Sequence, residues 1–418
     1  MHTDSLYAST RRYAPQASQL HTRVQCDVTI IGSGMTGISA ALELVERGYR
    51  VVVLEAQDLA WGASGRSGGQ IIAGAGEDGA SMLKLLGKED ARKAFDISLE
   101  AIELIRHRVS QYNIDCDLKS GQMEVAARPK HMAHLRQAAE LMQNTFGYPV
   151  DVIDAQQTAE KTGSQAYYGA IFDPNGGHLH PMNYTLGMAQ AAQRQGAQLF
   201  HHSPATDIHY GQKVLVKTPQ GEVESDFLVL AANAYLNRLE PAISRYMMPV
   251  GSYICATPPL PGDILPADCA VFDSRHLFSY FRRDGEGRLL WGGRTGLTDQ
   301  YPDNLEAIMR KRIAKVYPQL ADVPFEKSWG GNVSTTLHRL PHFGRLRSNV
   351  YFAQGYSGHG VAMSGIGGAT IARAIAGQAE QFDLLSRFPV KALPDNRLAH
   401  SAGLAAALIY FRIRDALG

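Results

Sequence analysis

Near its start the chain alternates short apolar runs with one stretch of helix-like spacing. Residues 28–31 form an apolar run, a glycine-rich turn follows, and an apolar-periodic segment leads to a second run over 51–54. Short continuous apolar runs are typical of buried strands, whereas apolar residues at helical spacing are typical of a helix that covers them. The pattern predicts a strand, turn, helix and parallel strand over residues 27–55.

Similar patterns recur further along the chain. Strands are predicted over 198–200, 214–216, 227–232 and 349–354, the last entering a helix over 361–376. Helices are predicted over 94–111 and 131–146, and a hairpin over 279–291 with its turn at 284–287. The chain therefore combines strands that alternate with helices and a separate hairpin, which favours an α/β fold with an additional mixed sheet.

The first predicted turn carries a dinucleotide-binding pattern. Gly32, Gly34 and Gly37 follow the first strand, and Glu55 ends the second. The first glycine permits the tight turn, the second lets backbone N–H groups approach a pyrophosphate, and the third lets helix and strand pack closely. Glu55 stands where a carboxylate can accept hydrogen bonds from a ribose. This combination predicts a dinucleotide site.

Composition agrees with a small-molecule partner. At 418 residues the chain exceeds the size at which one core usually stops growing, so two domains are expected. A formal charge of +1 offers no electrostatic footprint for nucleic acid. The four cysteines are far apart and form no CxxC pair, which favours reduced thiols in the cytoplasm. No metal site is expected at His178 and His180, which lie two positions apart in a segment predicted to be extended.

Two further glycine clusters, over 62–70 and 355–360, identify the nucleotide as FAD. A flavin ring lies far from the adenine end and needs close backbone approach along its length, which glycine allows. The second cluster also opens a helix, whose N–H groups could stabilise negative charge on a reduced flavin. The predicted cofactor-binding residues are Gly32, Gly34, Met35, Thr36, Gly37, Glu55, Ala56, Gly62, Ala63, Ser64, Arg66, Ser67, Gly68, Gly69, Gln70, Ile71, Ala205, Thr206, Ala232, Gly355, Tyr356, Ser357, Gly358, His359, Gly360 and Val361.

These assignments predict a Rossmann-like FAD-binding domain that is assembled from discontinuous segments. The remaining chain would form an α+β substrate domain with a mixed sheet. The predicted ranges are an N-terminal arm over 1–24, the FAD domain over 25–85, 176–240 and 329–385, the substrate domain over 86–175 and 241–328, and a C-terminal tail with a helix over 386–418.

With these motifs the chain resembles the FAD-dependent amine oxidases of the D-amino-acid-oxidase and sarcosine-oxidase superfamily, over nearly its whole length. The clusters over 62–70 and 354–361 mark the superfamily. The segment over 340–346 matches as well, and the segment over 176–181 together with the C-terminal ending narrows the resemblance to a subgroup that acts on gamma-glutamylated polyamines. The resemblance implies a flavin ring at the interface of the two domains.

The chain departs from sarcosine-oxidase-like relatives in three ways. Residues 329–336 hold no cysteine for covalent attachment, so FAD is expected to bind noncovalently. Ala73 and Ala362 replace basic residues that bind a substrate α-carboxylate in those relatives. A free α-amino acid would then lack charged partners, which disfavours it as a substrate. The strand over 288–294 lacks the lysine that assists reaction with oxygen, so another electron acceptor stays open.

Amine oxidation depends mainly on positioning a neutral amine, which an aromatic-lined pocket favours by disfavouring the ammonium form. The candidates for contact with the substrate are Tyr253, Tyr280, Arg282, Trp329 and Asn332. The candidates for catalysis are His359, Tyr280 and His338. Each aromatic residue could equally be part of a core, and His359 could be an ordinary turn residue.

The sequence therefore predicts FAD-dependent oxidation of an amine C–N bond to an imine that hydrolyses to an aldehyde, with O2 as acceptor and H2O2 as product. Gamma-glutamylputrescine or a related gamma-glutamylated polyamine is the expected substrate. The alternatives are a secondary or cyclic amino acid (L-pipecolate, proline or sarcosine), a dehydrogenase that reduces membrane quinones, and a flavin subunit without turnover. The uncharged run over 401–411 is shorter than the roughly 20 residues that span a bilayer. The tail helix is expected to dock on the protein or to contact a membrane surface.

Overall fold

The computed structural model describes residues 1–76, 78–236, 239–275, 277–293 and 301–393. The predicted tail helix lies outside these residues. The strands are β1 Arg23–Ile31, β2 Val51–Leu54, β3 Gln70–Ile71, β4 Lys119–Val125, β5 Asp151–Ile153, β6 Ala170–His178, β7 Gln198–Phe200, β8 Asp207–His209, β9 Val214–Lys217, β10 Glu222–Leu230, β11 Met248–Pro259, β12 Ala270–Asp273, β13 Ser279–Arg283, β14 Arg288–Gly293, β15 Lys327–Thr335, β16 His342–Arg347 and β17 Val350–Gln354. The helices are α1 Leu6–Ser9, α2 Met35–Glu46, α3 Gly79–Gln111, α4 His131–Leu141, α5 Ala155–Thr162, α6 Pro181–Arg194, α7 Pro241–Ser244, α8 Leu305–Val316, α9 Gly360–Ile375 and α10 Glu380–Ser386.

One sheet has the parallel centre that the βαβ pattern predicts. Its strands lie in the order β16-β17-β10-β1-β2-β7, with β9 beside β10 and β8 beside β9. All neighbours from β17 to β7 along this order are parallel, and β16 is antiparallel at the edge. Helices α2 and α9 pack closely because Gly368 has no side chain; a Cβ there would lie 2.2 Å from the Thr36 carbonyl oxygen. The α/β prediction is confirmed.

The second sheet is mixed and has nine strands among the residues that the structure describes. Its order is β15-β11-β14-β13-β12-β4-β6-β3, with β5 beside β6. The predicted hairpin is present as antiparallel β13 and β14. One face packs against α8 through a cluster that includes Trp291, Met309 and Ile313. The opposite face therefore remains for contact with the parallel sheet and its glycine turns.

Several elements differ from the predicted bounds. Helix α3 begins fifteen residues before the predicted start, because the Asp78 side chain caps it at the Ser81 N–H, and it is kinked at Gly87 (φ 75°). The predicted helix over 131–146 ends as a π-turn at Met142–Phe146. Strands β3 and β15 and the end of β6 belong to the mixed sheet, although the predicted ranges place them in the FAD domain. The other domain boundaries stay a prediction.

The N-terminal arm is part of the packed structure. Strand β1 already begins at Arg23, inside the range predicted for the arm. Leu6 and Tyr7 of α1 are buried, and the Tyr7 ring lies 5.1 Å from that of Trp329. None of the described helices is long and apolar enough to cross a membrane.

Candidate functional site

The first glycine turn is tight because of its neighbours. Gly32 has φ +107°, a conformation that favours glycine. A Cβ at Gly37 would lie 1.9 Å from the Gly32 carbonyl oxygen, so only glycine lets α2 start against the end of β1. The Met35 N–H donates to Ser64 Oγ at 2.9 Å. The first and second glycine clusters are thereby joined at the N-terminus of α2, where backbone donors attract anions.

Glu55 is held at the end of β2 by this turn. One carboxylate oxygen accepts from the Ser33 N–H at 3.0 Å and from Ser33 Oγ at 2.7 Å. The other accepts from the Gln57 N–H at 2.9 Å. Each carboxylate oxygen has further acceptor capacity, which a ribose hydroxyl can use.

The third glycine cluster, residues 355–360, also lies beside the N-terminus of α2, although it is near the other end of the chain. Tyr356 OH and Thr36 Oγ1 are 2.8 Å apart, which links this cluster to α2. The backbone has positive φ at Gly355, Ser357 and Gly358 (74°, 51° and 107°). These values bend the chain sharply before α9, and the first residues of α9, Gly360 and Val361, line the same cavity as Gly32 and Gly34.

A cavity of about 510 Å³ runs between these clusters and β15. Most of the predicted cofactor-binding residues line it. The predicted residues that do not line it are Gly37, Arg66, Gly68, Gly69, Gln70, Ile71, Thr206, Gly355 and His359. Gly37 and Gly69 instead permit close packing; a Cβ at Gly69 would lie 2.0 Å from the Leu179 carbonyl oxygen.

Buried polar atoms without partners show that the cavity fits a polar, anionic ligand. Ser67 Oγ and Ser334 Oγ are buried, line the cavity, and have no hydrogen-bond partner in the described residues. Arg66 Nη2 is likewise unpaired, and its guanidinium lies 4.0 Å from the Trp61 ring at the cavity wall. Buried donors are normally paired. FAD, with its pyrophosphate and polar flavin edge, supplies acceptors of the kind that they lack.

Sequence reasoning missed several lining residues. They are Trp61, Asn233, Tyr235, Val333, Ser334 and Ser364. Asn233 has a detectable signal, because Asn tolerates positive φ (here 46°) at the end of a strand. Its Oδ1 accepts from the Gly355 N–H at 2.9 Å and so fixes the third cluster. Tyr235 and Ser334 carry no local signal, since only the packing of distant segments brings them to the cavity.

His359 is a histidine whose pKa lies far below the pH range in which a general acid or base would titrate. Its Nδ1 is buried and unpaired within the described residues. Burial, together with the charge of Arg339, lowers the pKa of His359 to about 3. The imidazole is therefore neutral at physiological pH, and its proposed part in proton transfer stays a prediction.

The mixed sheet turns one row of side chains toward the second glycine cluster. Paired residues share a face of a sheet. The row, read across six strands by register, is Trp329, Ile254, Gly292, Tyr280, Phe272 and Glu124. The Trp329 indole N–H donates to the Arg66 carbonyl oxygen at 2.9 Å. Tyr280 lies over Gly68, where a Cβ would be 2.6 Å from the tyrosine ring.

The structure does not bring all predicted substrate residues together. Tyr253 lies on the opposite face of β11 from Ile254 and packs in the α8 core, 5.2 Å from the Tyr301 ring. The assignment of Tyr253 to the pocket was wrong because strand register, which the sequence does not specify, decides the face. Asn332 lies on β15 opposite Gly251, and half-buried His338 lies in the turn before β16.

Arg282 is not a surface arginine and not a free carboxylate binder. It is 2% exposed. Its guanidinium donates to the carbonyl oxygens of Gly68 (2.7 Å) and Arg283 (2.9 Å) and to Tyr7 OH (2.9 Å). The predicted contact with a substrate carboxylate is corrected to a structural role, because three of its donors already have protein acceptors.

One cluster of metal-ligand types lies near the adenosine end. Asp58, His201 and His202 place ligand atoms within 4.8 Å of one another. The Asp58 carboxylate is already paired, with His202 Nε2 at 2.9 Å and with the amino group of Met1 at 3.3 Å. These contacts explain the cluster as an ion-pair network.

Comparisons with known proteins agree with this geometry. Residues 27–374 match the model of the DAO family, described as FAD dependent oxidoreductase. The chain is 36% identical over 423 aligned positions to gamma-glutamylputrescine oxidoreductase of Escherichia coli, covering 100% of this chain and 99% of that protein. It is 37% identical to the probable oxidoreductase OrdL of Haemophilus influenzae, covering 99% and 97%. Glycine oxidase from Geobacillus kaustophilus has the same fold, with a TM-score of 0.74 at 22% identity over 88% of this chain and 99% of that one.

Proposed function

The chain belongs to the DAO family of FAD-dependent oxidoreductases, and from this premise we propose that it oxidises the primary amine of a gamma-glutamylated polyamine, with gamma-glutamylputrescine as the reference substrate. The product is an imine, which water hydrolyses to an aldehyde and ammonia. The observation that carries the proposal is the 36% identity over the full length of both chains to an enzyme named for this compound.

The residues present fit FAD as the cofactor. The first glycine turn and Glu55 would hold its pyrophosphate and adenosine, and the donors of the second and third clusters would face the flavin. Residues 329–336 contain no cysteine, so the binding is noncovalent. Bound FAD supplies the acceptor for the hydride of the carbon beside the amine nitrogen.

The chain itself positions the amine and excludes water. Tyr280, whose OH lies 3.0 Å from Ser252 Oγ, forms an aromatic wall beside the second cluster, and buried Trp329 holds that cluster through the Arg66 carbonyl oxygen. An apolar, aromatic wall disfavours the ammonium form, so the bound amine loses its proton more readily than in water. Tyr280 is proposed as a positioning residue rather than as an acid or base, because a correctly oriented neutral amine needs no strong base.

Anaerobic stopped-flow reduction of the bound flavin tests the substrate. Gamma-glutamylputrescine is expected to reduce the flavin, whereas L-pipecolate, proline and sarcosine are expected to leave it oxidised at the same concentrations. Reduction by one of these amino acids but not by gamma-glutamylputrescine would reject the proposal. Failure of all four compounds with FAD bound would instead favour a flavin subunit without turnover.

We propose oxygen as the electron acceptor and the cytoplasm as the location. The four cysteines are buried and free, which suits a reducing compartment. The acceptor is tested by measuring peroxide in air-saturated buffer beside reduction of a soluble quinone analogue. Peroxide equal to the amine consumed supports an oxidase. Quinone reduction without peroxide would favour a dehydrogenase. Faster quinone reduction when lipid vesicles are added would further support this alternative, in which the tail helix contacts a membrane surface.

A further inference from the structure

Glu124 is a carboxylate on the face of the mixed sheet that carries Tyr280. It is the register partner of Phe272, which is in turn the partner of Tyr280. Its neighbours Met123 and Val125 point the other way, into the core beside α8. Glu124 is partly exposed, so a ligand can reach its side chain.

No protein cation balances Glu124 in the described residues. Its carboxylate makes no hydrogen bond or ion pair there. Burial, together with the charges of Asp273 and Asp78, raises the pKa of Glu124 to about 7. Asp273 already binds Arg275 at 2.8 Å, and the Asp78 side chain already caps α3. Glu124 therefore lacks a positive partner among the described residues.

A second observation also indicates a missing ligand. Gln122 precedes Glu124 by two residues, so both side chains lie on the same face of β4. Gln122 is 6% exposed, and its Nε2 has no hydrogen-bond partner in the described residues. An unpaired buried amide donor is unusual and requires an explanation. A ligand carbonyl would satisfy it.

We propose that Glu124 binds a second ammonium group of the amine substrate, and that Gln122 donates to a carbonyl on the same molecule. This inference rests on the proposed function and names the feature of the substrate that is recognised. A gamma-glutamylated polyamine has both groups: an amide carbonyl and, beyond it, the α-ammonium of the glutamyl end. A simple monoamine has neither.

The separation of the two ends agrees with this assignment. Glu124 and Tyr280 are two strands apart, which corresponds to about 10 Å at the usual strand spacing. In gamma-glutamylputrescine the terminal amine nitrogen and the α-amine nitrogen are ten bonds apart, or about 12 Å at ~1.2 Å per bond of an extended chain. An amine held over Tyr280 therefore places its α-ammonium near Glu124.

The test compares two compounds that differ by one group. N-glutarylputrescine is gamma-glutamylputrescine without the α-ammonium. Anaerobic calorimetry with FAD-loaded enzyme gives the Kd of each, and flavin reduction gives the limiting rate. Wild type is expected to bind gamma-glutamylputrescine with a Kd at least roughly 10-fold lower than that of the glutaryl compound. This is the difference expected from the loss of one charge-assisted hydrogen bond. Glu124→Gln is expected to weaken the binding of gamma-glutamylputrescine and so to reduce this ratio to about one.

Glu103→Gln is the matched control, because Glu103 is an exposed carboxylate paired with Arg106 on the surface of α3; it should keep the ratio of wild type. Glu124→Asp shortens the side chain but keeps its charge, so its ratio of the two Kd values should lie between those of wild type and Glu124→Gln. This variant replaces Glu124→Gln in the test if the glutamine variant does not fold. A ratio retained in Glu124→Gln, or no preference in wild type, would overturn the inference. If neither compound reduces the flavin the proposed function fails, while the binding ratio still decides the role of Glu124.

Discussion

Arg282 Nε donates to the carbonyl oxygen of Gly68 at 2.7 Å, which joins the mixed sheet to the second glycine cluster. The same guanidinium is held from behind by Tyr7 OH of the N-terminal arm at 2.9 Å. A buried guanidinium with these acceptors fixes the backbone against which Tyr280 rests. The arm therefore contributes to the flavin site without lining its cavity.

Replacing Arg282 by lysine is expected to weaken FAD binding. Lysine lacks the planar fork and cannot reach Gly68 and Tyr7 together, so we expect a loss of about 2 kcal/mol of stability and a roughly 10-fold higher Kd for FAD, measured by fluorescence of the released flavin. Arg283→Lys is the control, because Arg283 donates to the carbonyls of Leu260, Pro261 and Ile264 instead. Equal FAD affinity in both variants would contradict this role.

Gly37 tests the close contact of α2 with β1. Gly37→Ala would place a Cβ 1.9 Å from the Gly32 carbonyl oxygen. The backbone cannot yield without moving the helix N-terminus, so a loss of about 2–4 kcal/mol and a sharp fall in bound FAD are expected. Gly262→Ala, with no atom within 4 Å of its Cβ, should change the melting temperature little. A normal flavin content in Gly37→Ala would show that the turn adapts.

Glu55→Gln tests the adenosine end of the site. The Glu55 carboxylate accepts hydrogen bonds from the Ser33 and Gln57 N–H groups. The side-chain amide of glutamine would point its NH2 donor at one of these N–H donors, so that one hydrogen bond would be lost. A roughly 10- to 100-fold rise in the Kd for FAD is expected from lost hydrogen bonds to a charged group, measured by titration of the apoenzyme. Glu224→Gln removes an exposed pair with Arg23 and should leave that Kd unchanged.

Local patterns predicted the first βαβ unit, the hairpin and the glycine clusters, because each depends on neighbouring residues. The contacts that complete the site join distant residues. Tyr7 and Arg282 are 275 positions apart, and Trp329 reaches the Arg66 carbonyl oxygen across 263. Tyr253 and Tyr280 are similar in sequence context, yet strand register places them on opposite faces. Register and long-range packing are therefore the parts that the sequence pattern does not reveal.

His180 predicts how stability depends on acid. It caps α6 by accepting from the Asn183 N–H at 3.1 Å, and its ring contacts Tyr7. Burial, followed by the charges of Arg282 and Arg12, lowers the pKa of His180 to about 3. Above pH ~6.5 both folded and unfolded chains carry it neutral. As pH falls from about 6.5 toward 3 only the unfolded chain takes up the proton, so stability falls by about 1.4 kcal/mol per pH unit for this residue.

His180→Asn removes the titrating ring and keeps a good capping acceptor. The free energy of unfolding is measured by urea denaturation between pH 6 and 4.5. The slope of this free energy against pH should be smaller in the variant than in wild type, and the difference between the two slopes should be about 1.4 kcal/mol per pH unit. Buried His178, whose pKa burial also lowers to about 3, still contributes to the remaining slope. His209→Asn, at an exposed histidine beside Asp207, should give a curve parallel to wild type. Parallel curves for His180→Asn and wild type would show that His180 does not resist protonation in the folded protein.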